Sequence, residues 1–168
     1  MKHPKIVIAA LSLSAAGFVG LVQQEGWFET AAIPVKGDVP TVGPGLTQRP
    51  DGSPVQLGDK IKPVEGIQRS LSHIQQDEAG LKRCVKAPLS QVEYDLLVDF
   101  SYQYGVRTTC NSSMVKSINS GQYKQACEGY KRYRFVAGYD CSTPENKRCS
   151  GVWTRSLERY NKCMSANG

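Results

Sequence analysis

The sequence predicts an α+β domain, with an N-terminal helix and a small β-hairpin lobe packed on a mainly helical lobe that disulfides brace. Three observations carry this expectation. Lys36-Gly-Asp38 reads as a tight turn, with Val39 to Val42 as the returning strand. From Pro63 onward, apolar residues recur at three- and four-residue spacing, the period of a helix face. Six cysteines, Cys84, Cys110, Cys127, Cys141, Cys149 and Cys163, all fall in the second half. A chain of 168 residues supports one such domain, since single domains commonly hold roughly 100–200.

Residues 1–22 are the first element. Met1-Lys-His-Pro-Lys5 is basic, and Ile6 to Val22 is a mostly apolar run of 17 uncharged residues. Basic residues stay on the cytoplasmic side of a membrane, so the remainder would face the periplasm. As one helix the run would span about 25 Å, short of a bilayer core of about 30 Å. Ser12, Ser14, Gly17 and Gly20 weaken its hold on lipid further. Two readings stay open: a retained, weakly held anchor, or a signal peptide cleaved near Ser14-Ala-Ala16 or Thr30-Ala-Ala32. Cleavage at the second site would remove Glu25.

Gln24-Glu-Gly-Trp-Phe28 follows at once. Trp27 and Phe28 would desolvate the Glu25 carboxyl group, and desolvation raises a carboxylic acid's pKa. A general acid for glycosidic cleavage needs that property. A Glu-Gly pair is also ordinary on a solvated surface, so this stretch alone assigns no chemistry. Gly43 to Asp59 is rich in glycine, proline and polar residues and reads as a loop.

In the helical part, Val64, Ile67, Leu71, Ile74 and Leu81 mark one predicted face, with Gln68, Arg69, Gln75, Gln76 and Asp77 opposite. His73 reads as a surface or packing residue. Ser90 with Glu93 three residues later forms a capping box at a helix start. Tyr123, Tyr130, Tyr133, Phe135 and Tyr139 interleave with Lys124, Lys131, Arg132 and Arg134. Such a stretch could track a nucleic-acid strand or a sugar polymer; core packing for most rings, with a basic rim, is the reading adopted. Nucleic acid is not an expected partner. No P-loop, dinucleotide turn, serine-protease elbow or internal repeat is present.

An even number of scattered cysteines behind an export-like N-terminus predicts three disulfides. Only Cys141–Cys149, closing a short polar loop, is locally evident. With no CxxC pair and only His3 and His73, neither a metal site nor a cofactor is expected. The formal charge of +6, from 21 Lys and Arg against 15 Asp and Glu, favours an anionic partner such as cell wall.

The stretch from Glu25-Gly through a short hairpin to Thr41-Val-Gly-Pro-Gly45 resembles the catalytic region of phage-type lysozymes, glycoside hydrolase family 24. The likeness continues in order through Leu89 to Phe100, Tyr102-Gln-Tyr-Gly105, Ser112 to Asn119, Gln125-Ala-Cys-Glu128, and Gly151-Val-Trp-Thr-Arg155 with Glu158. It covers roughly residues 20 to 163. The resemblance implies an inverting N-acetylmuramidase acting on bacterial peptidoglycan in host cell lysis. Glu25 would protonate the leaving oxygen, and a second carboxylate and Thr41 would hold the water. Inverting carboxyl groups stand about 6.5–9.5 Å apart to make room for it. Arg155 falls where relatives carry an arginine that supports the acid.

The second acid departs from the pattern. The family places it nine residues after the glutamate and six before the threonine, which here gives Pro34 and Val35. Either Asp38, the nearest acid, is the catalytic partner that holds the water, or Thr41 and a backbone group hold it without a carboxylate; Glu29 would lie one helical turn from Glu25. Leu46 stands where relatives often carry histidine.

The N-terminal segment resembles that of signal-arrest-release endolysins. This implies a monomer first tethered to the inner membrane and then periplasmic, divided into segment 1–22 and catalytic domain 23–168. No cysteine lies in residues 1–83, so a disulfide exchange within the anchor is excluded. The alternatives are a non-catalytic wall-binding domain and a lytic transglycosylase, which needs one acid and no positioned water.

Overall fold

A computed structural model describes residues 3–34 and 39–168. The chain folds as two compact units, Ser14–Gln76 and Asp77–Gly168, the second joined by the N-terminal residues as far as Leu13.

In the first unit, α1 (Ala15–Glu25) starts at Ser14, whose side chain accepts the Gly17 N–H at 2.9 Å. The long uncharged run is therefore divided by an N-cap at its middle rather than wound into one helix. Gly26 ends α1 at φ +76°, where side chains other than glycine's are strained. The chain then enters β1 (Phe28–Ala32), which pairs antiparallel with β2 (Thr41–Gly43), Phe28 opposite Gly43 and Ala32 opposite Thr41. Two antiparallel strands form as predicted, but the returning strand is Thr41–Gly43 rather than Val39 to Val42; the predicted turn, Lys36-Gly-Asp38, lies outside the described residues. Ala31, Val42, Val55 and Ile61 form the core here, with Trp27 and Leu46 packed on it. The predicted loop is pinned by Arg49, whose guanidinium reaches both oxygens of Asp59 at 2.7 and 2.8 Å. That hydrogen bond, with another from the Gln56 N–H, holds the Asp59 carboxyl at about 2.

The helix predicted from Pro63 is α2 (Pro63–Cys84), but only Ile74 and Leu81 of its predicted face are buried. Val64 is 67% exposed, and Ile67 and Leu71 also face solvent. The buried line is Gly66, Ser70, Ile74, Asp77, Glu78 and Leu81. The Trp27 ring sits where a Cβ on Gly66 would be, and the buried Ser70 hydroxyl donates to the Gly66 carbonyl at 2.9 Å. Close approach thus selects small residues, which hydrophobic periodicity does not register. Gly66→Ala is expected to cost about 1–2 kcal/mol net, overpacking outweighing the gain in helix propensity. Thermal unfolding should show a midpoint lowered by about 3–6 °C.

In the second unit, the residues through Leu13 lie as a strap. Ile6 and Leu89 exchange both backbone hydrogen bonds, at 2.7 and 2.9 Å, and Ile8 and Leu11 are buried. The Leu13 N–H donates to Glu78 at 2.7 Å, and the same carboxylate oxygen accepts the Tyr94 hydroxyl at 2.8 Å. The helices are α3 (Gln91–Tyr104), α4 (Val106–Asn111), α5 (Ser113–Asn119), α6 (Tyr123–Tyr130) and α7 (Ser150–Ala166). Ser90 and Glu93 make the predicted capping box at the start of α3, and Gly105 ends it at φ +80°. Leu96, Phe100, Met114, Cys127, Tyr130 and Cys163 form the core. Phe100 lies 4.5 Å from Tyr133 and 5.8 Å from Tyr130 between ring centroids.

Three disulfides form: Cys84–Cys110 ties α2 to α4, Cys127–Cys163 ties α6 to α7, and Cys141–Cys149 closes the predicted loop. Tyr130 and Tyr133 join the core as expected of the basic-aromatic stretch. Phe135 and Tyr139 do not; they sit exposed on a hairpin of β3 (Phe135–Val136) and β4 (Tyr139–Asp140).

Candidate active site

Glu25 is the last residue of α1 and is half-buried. The Gly26 N–H returns to the Val22 carbonyl at 3.1 Å, so the chain leaves the helix immediately after the carboxylate-bearing residue. Trp27, two residues on, packs on the apolar core of the same unit. The Glu25 carboxyl is therefore carried on a helix end, with the Trp27 ring anchoring the chain that follows, which makes a rigid mount for the side chain.

The loop after β2 comes up against this carboxylate. A Cβ built on Gly45 would stand 3.2 Å from Glu25 Oε2, and Gly45 sits at φ +77°. A Cβ on Gly43, at φ +61°, would make only ordinary contact with Ile61, at 3.4 Å. The doubled glycine of Thr41-Val-Gly-Pro-Gly45 is thus explained by backbone angle at both positions, with close approach added at Gly45. Gly45 is the neighbour of Glu25 that reading the glutamate as an isolated residue misses; the repeat of glycine two residues apart is its sequence signal. Leu46 bridges back to Val42, with reciprocal backbone bonds of 2.9 and 3.0 Å, and packs on the core. It holds the loop closed without adding a polar group.

Thr41 opens β2 and is 8% exposed, with its hydroxyl directed at the Ala32 carbonyl at 3.4 Å. Asp38 lies outside the described residues. Glu29 is not in a helix beside Glu25: it is exposed on β1, where its carbonyl accepts the Ile61 N–H at 3.0 Å. Pro34 is exposed and carries no acid.

Arg155 is half-buried in α7, in the second unit. Burial raises the Tyr104 phenol, and the charges of Arg159 and Arg155 partly oppose that rise. Arg159 itself pairs with Asp99 at 2.6 Å, the two being 3% and 14% exposed, and its guanidinium lies 5.6 Å from the Phe100 ring. Arg159 is therefore the structural cation of α7.

A family model described as phage lysozyme matches residues 22–159. An endolysin of Salmonella phage P22 is 26% identical over 130 residues, 77% of this chain and 88% of that protein. A SAR-endolysin of Pseudomonas phage phiKMV is 32% identical over 122 residues, 73% of this chain and 72% of that protein. Among solved structures, an endolysin from Escherichia coli O157:H7 phage FAHEc1 superimposes with a TM-score of 0.79 at 24% identity, covering 94% of this chain and 96% of that one. The chain belongs to the phage lysozyme family and is a glycoside hydrolase whose substrate is peptidoglycan.

Proposed function

We propose that the chain is an inverting N-acetylmuramidase for host cell lysis, with Glu25 as general acid. The observation that carries the acid assignment is the approach of Gly45 to the Glu25 carboxylate. It sets the Thr41-Val-Gly-Pro-Gly45 loop beside that side chain, which supports the acid reading. Glu25 protonates the glycosidic oxygen as the bond to the leaving sugar breaks. On the opposite sugar face, Asp38 takes a proton from the attacking water. The Thr41 hydroxyl donates to Ala32 and keeps its lone pairs for that same water. Arg155 supports the acid electrostatically.

We also infer that residues 1–22 first tether the protein to the inner membrane and that 23–168 act in the periplasm after release. The phiKMV relative is a SAR-endolysin, and the three disulfides suit an oxidising compartment. No helix among the described residues is long and apolar enough to cross a membrane. Ile8 and Leu11, apolar residues of the proposed tether, are buried in the second unit. They cannot serve lipid and this core at once, so tethering and folding exclude one another.

Product chemistry tests the enzyme. Purified peptidoglycan should yield muropeptides with reducing muramic acid ends, of inverted configuration when followed early by proton NMR. Ends in 1,6-anhydromuramic acid would overturn hydrolysis. Asp38→Asn should slow the reaction about a hundredfold; an undiminished rate would remove the water from Asp38. For the tether, the protein should leave the membrane fraction on depolarisation with its N-terminus intact. An N-terminus at Ala15 or later would sink release without cleavage.

A further inference from the structure

We propose that the β3–β4 hairpin is a docking finger for the anionic headgroup surface of a phospholipid bilayer, a contact separate from the N-terminal segment and additional to glycan cleavage. Its tip, Phe135-Val-Ala-Gly-Tyr139, is wholly uncharged. Phe135, Val136 and Tyr139 are 58%, 42% and 41% exposed, all on one short hairpin rather than scattered, with Val136 and Tyr139 on one face and Phe135 on the other.

The display is built. Val136 pairs with Tyr139 across a two-residue turn in which Ala137 and Gly138 both have positive φ, +48° and +82°. That is the turn whose twist suits a hairpin, and alanine enters it against its own preference. At the base, the Cys141 N–H donates to the Arg134 carbonyl at 2.8 Å, Arg134 pairs with Asp140 at 3.1 Å, and Cys141–Cys149 fixes the returning chain. An isolated two-stranded hairpin is marginal in water, so these ties are what hold three apolar side chains in solvent.

The charge around the tip selects the occupant. The Arg134 guanidinium lies 5.1 Å from the Phe135 ring and that of Arg148 4.1 Å from the Tyr139 ring. Arg132 and Lys147 flank them in the chain, and the nearest acid, Asp140, is already paired with Arg134. Apolar tip, aromatic rings and cationic collar follow the order of a bilayer interface from acyl chains outward. With two-residue strands the finger reaches only the boundary between headgroups and acyl chains.

The test uses the full chain and a readout at the hairpin, because residues 1–22 have membrane affinity of their own. Phe135→Trp should give emission that shifts to the blue with vesicles of phosphatidylglycerol and phosphatidylethanolamine, and that brominated acyl chains quench beyond the change seen for Trp27 and Trp153 in the parent. Phosphatidylcholine vesicles should give a weaker response. Phe135→Ser/Tyr139→Ser should lower the partition onto anionic vesicles about tenfold or more, with the rate on purified peptidoglycan unchanged. Unaltered emission, or unaltered partition of the double variant, would overturn the proposal. So would a loss of binding to purified cell-wall sacculi with vesicle binding intact, which would make the hairpin a wall contact. Activity on purified peptidoglycan reports the enzyme separately, so a failed finger and a failed muramidase assignment give different results.

Discussion

Glu25→Gln is expected to lower the rate of muropeptide release from purified peptidoglycan about a thousandfold, the scale of a lost general acid. Glutamine keeps the size of the side chain and its place at the end of α1, beside Gly45. Its amide can donate a hydrogen bond but cannot pass a proton to the leaving oxygen. The thermal midpoint should therefore stay within a few degrees of the parent while the rate collapses, a split that separates chemistry from folding. Gly45→Ala makes the useful comparison. Its methyl group would meet the Glu25 carboxylate at 3.2 Å in a backbone conformation at φ +77°, so both rate and midpoint should fall. Equal rates for Glu25→Gln and the parent would remove Glu25 from the mechanism.

Lys5→Met is expected to lower the thermal midpoint by about 6–8 °C. The Lys5 ammonium contacts both oxygens of Glu93, at 2.7 and 2.6 Å, reaches Asn167 at 3.1 Å and lies 3.5 Å from the centre of the Tyr123 ring. Glu93 is 4% exposed and Lys5 27%, so removing the cation strands a buried carboxylate while part of the loss is returned by solvent. That places the cost at about 2–3 kcal/mol, at or below the low end for a broken buried pair, and each kcal/mol is worth about 2–4 °C in a chain of this size.

The dependence on pH follows from the Glu93 carboxyl. Burial raises it, but hydrogen bonds from Lys5, the Ser90 N–H, Asn167 and the Ser90 hydroxyl outweigh burial and hold it below its ordinary value. A carboxyl depressed in the folded state stabilises above its unfolded pKa and loses that contribution as pH falls through the folded one. The difference between parent and Lys5→Met should be complete at neutral pH and shrink below about pH 4. Lys5→Met/Glu93→Gln should recover part of the midpoint at pH 7, because the amide oxygen can still accept the Ser90 N–H. A midpoint unchanged in Lys5→Met would show that the strap contributes nothing through this pair.

Features set by a few neighbouring residues were legible in the sequence. Ser90 and Glu93 announce their own capping box, and Cys141 and Cys149 their short loop. The hairpin strands before Thr41 could be read because turn chemistry is local. Features set by distance were not legible. Val64, Ile67 and Leu71 have the spacing of a core face, yet α2 buries Gly66 and Ser70, because what matters there is how closely Trp27 approaches. Phe135 and Tyr139 have core-like composition and lie in solvent. Lys5 reads as a leader charge, and its partner is 88 residues away. Within the site, Glu25 and the glycine loop were visible as a motif, whereas the role of Gly45 needed the third dimension. Asp38, the proposed displaced acid, has a spacing that matches no template and lies outside the described residues.

The strap has a kinetic consequence. The unit carrying Glu25 and Thr41 is one continuous stretch, residues 14–76, so its contacts close only within that stretch. The other unit draws on both extremes of the sequence, since Lys5 meets Asn167 across 162 residues. Contacts of high sequence separation form late, after the chain has paid for their closure. Pulse-labelled backbone amides near Ile6 and Leu89 should gain protection after those of β1 and β2, so the strap is the last part of the molecule to find its place.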